Sequence, residues 1–304
     1  MTDRFAAPVT LDEALAILAA DGAARPVAGG TDLVVASRQG RRPLPDAIVA
    51  IDRVRELDHH GVVGDALVLG GLTSHAWLAD AAAVCETWSA LADASSIVGS
   101  PATRSTGTLG GNLMNASPAA ETTGPLVVFD ATVTLQSAGG GVRTIAVAGL
   151  ATGPGRTSAT AGELLTTVTV PRPAAGSGSA YIRLEYRRAM EIAVVGAAAL
   201  VTIDGDGRIA AARVALTAVA PTIVRSPAAE AVLVGATADA AVFRAAGEAA
   251  AAAASPIDDV RASADYRRAM VAVVAARALN AAAIRARGGS VPIPASRWAH
   301  GQEV

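Results

Sequence analysis

The stretch Thr106-Gly107-Thr108-Leu109-Gly110-Gly111-Asn112 limits the possible folds of this chain more than any other, because it alternates hydroxyls with residues that carry no Cβ. Such a loop lets backbone N–H groups approach a ligand unobstructed, and it suits an anion, above all a phosphate. Thr106, Thr108 and Asn112 add side-chain donors, and Ser117-Pro118 marks a turn before the apolar run 126–129. Alone, a Gly-Gly turn is weak evidence, since most such turns only redirect the chain. A second loop over 25–33 again sets two glycines and a threonine after an expected strand and before an expected helix at 33–38. A helix start offers unpaired N–H groups and positive partial charge, which suits a pyrophosphate. Neither loop fits G-x-G-x-x-G or G-x-x-x-x-G-K-[ST], so a different nucleotide-binding architecture is expected.

Length and composition narrow the setting. A chain of 304 residues has room for about two domains. Much of its apolar content of 52% is alanine and its aromatic content is 3%, so the core must be built from Val, Leu, Ile and Ala. A net charge of −2 lacks the basic surface that nucleic-acid binding requires. Asp3, Asp12 and Glu13 interrupt the N-terminal stretch where a signal peptide needs a basic start and an apolar run. The run 192–203 is about half a membrane span and reads as a core strand. Cys85 is the only cysteine, so the chain forms no internal disulfide and cannot ligate an iron–sulfur cluster unaided.

Taken in order, Thr10-Leu11-Asp12-Glu13 is a capping box, with Leu11, Leu15 and Leu18 following at helical spacing. Strands are expected at Val27 and over 47–51, which makes 1–57 a small α/β unit. A strand over 67–71 precedes Thr73-Ser74 as a helix start, and a helix over 87–98 leads into the central loop. Alternating residues at 132–136 and 166–170 read as strands. The segment 171–179, with two prolines and small residues, reads as a linker. Asp204-Gly205-Asp206-Gly207 signals a hairpin between strands over 194–203 and 209–219. Residues 228–254 are alanine-rich and helical. A last helix over 263–287 sets Tyr266, Met270, Val273, Arg277, Asn280 and Ile284 on one stripe, read as core packing; Val291-Pro292-Ile293-Pro294 closes the fold, and the final residues read as a mobile tail.

His59, His60, His75 and His300 show no metal-ligand spacing and read as surface or capping residues. The serines lack a nucleophile-elbow context, and no acid/base pair stands out. No catalytic or metal-binding residue is therefore expected.

The segments AGGTDL and TLGGNLMNASPAAETTGP, followed by YIRLEYRRAMEIA over 181–193 and DVRASADYR over 259–267, resemble the FAD-binding medium subunit of molybdenum hydroxylases, the family of xanthine dehydrogenase and carbon monoxide dehydrogenase. Four matches in order span nearly the whole chain. The resemblance implies an α+β fold: a two-subdomain FAD-binding domain of the PCMH type over 1–175, with subdomains of about 1–57 and 58–175. A C-terminal α+β domain of the carbon monoxide dehydrogenase flavoprotein type, a small antiparallel sheet plus helices, follows over 176–290, and 291–304 is a tail. It implies that Val27, Ala28, Gly29, Gly30, Thr31, Asp32 and Leu33, with Thr108, Leu109, Gly110, Gly111 and Asn112, hold the FAD pyrophosphate and its neighbouring hydroxyls. Glu121 stands where the family usually has aspartate, Arg183 where some members have lysine, and Val98 and Leu165 where apolar side chains pack near flavin or adenine. Glutamate moves the carboxylate by one methylene, and a surface ion pair is the alternative for Glu121 and Arg183.

By the same resemblance, noncovalent FAD collects electrons that a small [2Fe-2S] subunit relays from a large subunit carrying the molybdenum cofactor. The assembly expected is a cytoplasmic dimer of heterotrimers, with no nucleic acid and no integral membrane segment. The electron acceptor, whether NAD, a quinone, another carrier or oxygen, and the organic substrate are not encoded legibly here. Two other readings stand beside this one: a self-sufficient flavin oxidase or dehydrogenase of the same FAD-binding superfamily, and a scaffold that has lost its cofactor.

Overall fold

The computed structural model describes residues 4–187 and 189–300. Arg188 of the 181–193 motif and residues 301–304 of the expected tail lie outside the described residues.

Thr10 and Glu13 form the expected capping box at the start of the helix Leu11–Ala20. That helix buries Ala14, Leu15 and Leu18 against a three-stranded parallel sheet in which Ala47–Ala50 lies between Arg4–Ala6 and Ala24–Val27. Leu164 from the next sheet completes this small core, so the first unit is fused to its neighbour rather than tethered to it.

The second unit is a five-stranded antiparallel sheet in the order His60–Val63, Ala66–Gly70, Leu164–Pro171, Thr132–Ser137, Gly141–Ala146. Six short helices between His75 and Val128 cover it. The helix expected over 87–98 is broken: one helix ends at Thr87 and another, Ser89–Ser96, follows. Trp88 stands at the break. It is fully buried, its indole N–H donates to the Pro171 carbonyl at 2.9 Å, and the Arg172 guanidinium lies 5.4 Å from its ring centre.

The third unit is an antiparallel sheet of Ser177–Leu184, Val195–Ile203, Ile209–Thr217 and the short Val224–Arg225. It carries the expected Asp204-to-Gly207 hairpin and is covered by the helices Pro227–Leu233, Ala240–Ala252 and Ala264–Ala286. The linker read over 171–179 shrinks to residues 172–176, because Ser177 already pairs with Thr202 and Ser179 is buried. The helix Ala264–Ala286 is long and apolar enough to cross a membrane, yet half of its most apolar window is buried inside the fold.

Two expectations fail in this unit. The stripe from Tyr266 to Ile284 is not the core face: Arg267, Val271, Val274, Ala278 and Ala281 are buried, while Tyr266 and Asn280 are exposed. Alanines surround the helix, so the hydrophobic pattern is shallow and its phase slips by one residue. The tail is not free through residue 300 either. Val291, Ala295, Ser296 and Ala299 are buried, and Ala295 donates its N–H to the buried Asp93 carboxylate at 2.9 Å.

Candidate cofactor site

The strand Ala24–Val27 runs beside Ala47–Ala50 in the small parallel sheet, pairing Val27 with Ala50, and then releases the chain. Gly30 takes a left-handed φ of +65°, and the helix Leu33–Arg38 begins. Val34 N–H closes on the Gly30 carbonyl and Ala36 N–H on that of Asp32, both at 2.9 Å. Among the described residues no acceptor meets the N–H groups of Gly29, Gly30, Thr31, Asp32 or Leu33. Asp32 makes no cap bond and leaves its side chain exposed. None of the six residues of this helix is buried.

The loop rests directly on the central stretch. A Cβ placed on Gly29 would lie 1.9 Å from the Thr106 carbonyl oxygen and 3.3 Å from Gly107 Cα, so the two backbones touch. A Cβ placed on Gly107 would lie 3.4 Å from both Thr31 Oγ1 and His75 Cδ2. The two glycine segments thus converge on one seam between the first and second units.

The central stretch behaves differently from its sequence reading. Thr108 caps the helix Leu109–Asn115, its Oγ1 accepting from Gly111 N–H at 3.0 Å. Leu109 N–H donates to Thr73, Gly110 N–H to Gly71 and Asn112 N–H to Thr108, all to carbonyls at 2.8–3.0 Å. The N–H groups of residues 109–112 are therefore used inside the protein and are not offered to an anion, a correction to the expected cradle. Gly110 is small for another reason, since a Cβ there would lie 2.5 Å from the Gly71 carbonyl oxygen. What this segment presents is the exposed Gly111 and the half-buried Asn112, whose Oδ1 accepts from Thr122 Oγ1 at 2.8 Å.

Of the remaining site residues, Val27, Ala28, Thr31, Leu33 and Val98 are half-buried, and Val98 receives an Arg104 N–H on its carbonyl at 3.1 Å. Leu109 and Leu165 lie in the core of the second unit. Glu121 and Arg183 form an ion pair at 2.6 Å, but an interior one: the Arg183 side chain has no accessible surface and that of Glu121 is 8% exposed. Tyr181 hydroxyl donates to the other Glu121 oxygen at 2.6 Å, and Glu185 also contacts Arg183. Burial lifts the Glu121 carboxyl above its ordinary value against the opposing pull of Arg183 and Tyr181. Ser296 Oγ accepts from Arg183 N–H at 2.9 Å and His300 Nε2 donates to the Arg183 carbonyl at 2.7 Å. Arg183 therefore ties Glu121, the third sheet and the C-terminal segment together.

Three residues at or behind the seam escaped the sequence reading. His75 is 2% exposed rather than on the surface, and its Nδ1 is sealed with no partner among the described residues. Burial, assisted by the Arg104 charge, pushes its pKa down to about 4, so the ring is neutral at physiological pH. Ser74, which caps the helix His75–Asp80 by accepting from Trp77 N–H, was the local signal for its position. Thr122 and Tyr181 are fully buried partners of Asn112 and Glu121.

The seam suits a dinucleotide. Five adjacent N–H groups without acceptors fit a pyrophosphate, and the direct contact of Gly29 with Thr106 brings both walls close to it. No group of three or more His, Cys, Asp or Glu gathers among the described residues.

Residues 2–173 match the family described as FAD binding domain in molybdopterin dehydrogenase, and residues 180–282 match the CO dehydrogenase flavoprotein C-terminal domain. The chain is 33% identical over 279 residues to the 6-hydroxypseudooxynicotine dehydrogenase complex subunit alpha of Paenarthrobacter nicotinovorans, covering 91% of this chain and 93% of that one. It is 31% identical to the carbon monoxide dehydrogenase medium chain of Hydrogenophaga pseudoflava, covering 91% and 96%. Among solved structures, carbon monoxide dehydrogenase from that organism superposes with a TM-score of 0.87 at 31% identity, covering 93% of this chain and 97% of that one. Quinoline 2-oxidoreductase from Pseudomonas putida 86 gives 0.87 at 30% identity, covering 93% and 97%. The chain belongs to the family of FAD-binding medium subunits of molybdenum-dependent dehydrogenases.

Proposed function

We propose that this subunit takes electrons from an iron–sulfur subunit and passes them to an external acceptor, with FAD held noncovalently in the seam between the first two units. The observation that carries this reading is the row of N–H groups from Gly29 to Leu33 that meet no protein acceptor. Those groups hold the pyrophosphate, with Val27 and Ala28 walling its near side. Thr108, Gly111 and Asn112 face it from the second unit, and the Asn112 amide donates to a cofactor oxygen. Leu109, Gly110 and Leu165 form the floor, Val98 lines an edge, and Glu121 with Arg183 braces the seam from behind. When bound, FAD supplies a carrier able to join one-electron and two-electron partners.

The FAD-binding domain ends at about 175, and the C-terminal domain takes in the packed segment through residue 300. The partners are a [2Fe-2S] subunit and a large subunit with the molybdenum cofactor, assembled as a cytoplasmic dimer of heterotrimers. The relatives named as subunits of dehydrogenases support this division of labour.

Acid precipitation of the purified protein tests the cofactor and releases yellow FAD into the supernatant. A colourless supernatant together with failed reconstitution by added FAD would sink the reading. Affinity purification after co-expression with the neighbouring gene products recovers one cysteine-rich chain and one large molybdenum-binding chain. Steady oxidation of an organic substrate by the isolated chain with FAD alone would instead establish a self-sufficient oxidase.

A further inference from the structure

Thr122 stands at the N-cap position of the helix Thr123–Val128, where a threonine hydroxyl ordinarily accepts an N–H from the first turn. It makes no such bond. The third helical position is Pro125, which has no N–H to give, and Thr122 has helical rather than extended dihedrals. The hydroxyl instead donates to Asn112 Oδ1 at 2.8 Å, and Thr122 has no accessible surface.

That bond decides which way the Asn112 amide faces. Were the amide flipped, the Thr122 hydroxyl would meet an NH2 group, and its own proton would have no acceptor among the described residues. A buried donor left unsatisfied is costly, so the interior selects the orientation with Oδ1 inward. Nδ2 then points away from Thr122, and among the described residues it has no acceptor. Asn112 is half-buried beside the exposed Gly111, so both N–H groups are left for a ligand. Ala116, at φ +47°, ends the Asn112 helix, and Glu121, next to Thr122, is locked to Arg183 and Tyr181, so the hydroxyl is carried on a rigid segment.

We infer that Thr122 is a positioning residue for the cofactor: its hydroxyl holds Asn112 as a two-proton donor toward an oxygen of FAD and excludes the flipped, acceptor-outward amide. This rests on the assignment of Asn112 to the FAD seam. FAD affinity is measured on the protein purified with its partners and stripped of flavin, for wild type, Thr122→Val, Thr122→Ser, Asn112→Ala and the Asn112→Ala/Thr122→Val pair. Valine keeps the shape of threonine, and a melting temperature within a few degrees of wild type checks that the fold survives.

Thr122→Val weakens FAD binding about tenfold, the scale of one lost hydrogen bond, and Thr122→Ser restores it to within about twofold. In the Asn112→Ala background Thr122→Val has no further effect, because there is no amide left to orient. Additive effects in the pair, or wild-type affinity in Thr122→Val while Asn112→Ala is impaired, overturn the positioning role and leave the FAD seam intact. Wild-type affinity in Asn112→Ala removes Asn112 from the seam and the inference with it. Failure of the wild-type protein to bind FAD overturns both.

Discussion

Gly29 lies so close to Thr106 that a Cβ on the glycine would sit 1.9 Å from the threonine carbonyl oxygen. This contact closes the seam between the first two units at the point where the unbonded N–H groups line up. Gly29→Ala forces the loops apart, and FAD affinity falls at least about a hundredfold, as expected when several hydrogen bonds are displaced together. Gly22→Ala is the control, with nothing within 4 Å of its added methyl. Flavin fluorescence titration of both variants checks the pair, and equal affinities would detach the Gly29 contact from cofactor binding.

The adjacent glycines of the central stretch separate into two roles. A methyl on Gly110 meets backbone, 2.5 Å from the Gly71 oxygen, so Gly110→Ala costs stability of about 2–4 kcal/mol by forcing the helix off its support. A methyl on Gly111 meets only Thr108 Oγ1 at 2.9 Å, which can yield at the cost of a cap bond of about 1 kcal/mol. Gly111→Ala therefore lowers FAD affinity more than it lowers the urea midpoint, and Gly110→Ala does the reverse.

Asp93 is a fully buried carboxylate that joins three parts of the chain. It accepts two bonds from Arg285 at 2.7 and 3.1 Å, one from Tyr181 N–H at 3.1 Å and one from Ala295 N–H at 2.9 Å. Asp93→Ala leaves the Tyr181 and Ala295 N–H groups without acceptors and takes the counter-charge from the part-buried Arg285, which keeps the Ser179 and Val291 carbonyls at 2.7 and 3.0 Å, and destabilises the protein by about 3 kcal/mol. Urea unfolding measures it. A loss below about 1 kcal/mol would mean that water or a shifted Arg285 takes over these bonds.

His75 makes the seam sensitive to acid. Its folded-state pKa of about 4 lies below the ordinary 6.5, so above pH 6.5 the ring is neutral in both states and the stability is intact. As pH falls from 6.5 toward 4 the unfolded chain takes up a proton that the folded chain refuses. Stability then drops by on the order of 3 kcal/mol over that window. His75→Gln has no such proton to gain, and its unfolding free energy between pH 6.5 and 4 is flatter than that of wild type. Parallel profiles for the two proteins would assign the acid sensitivity elsewhere.

Local signals were read well from sequence because they depend on neighbours along the chain. The capping box at Thr10 and Glu13, the hairpin at Asp204 to Gly207 and the strand before and helix after Gly29 and Gly30 each follow from spacing and turn chemistry over a few residues. Family resemblance then named the cofactor, and the structure brings the two glycine segments together. The phase of the last helix was lost because an alanine-rich surface gives no gradient from which to choose a face.

What sequence alone determined is that two glycine segments exist, that each follows or precedes a regular element, and that they need a partner without side-chain bulk. Only the tertiary structure decided what each glycine is for. Residues 29–33 keep their N–H groups free because the first segment leaves its sheet edge, whereas residues 109–112 spend theirs on Thr73, Gly71 and Thr108. Glu121 and Arg183, adjacent to nothing in sequence that explains them, become an interior brace because the third sheet and the C-terminal segment close over them. Hydrogen-bond partners come from parts of the chain far apart in sequence, and a local pattern cannot specify which distant acceptor a donor will meet.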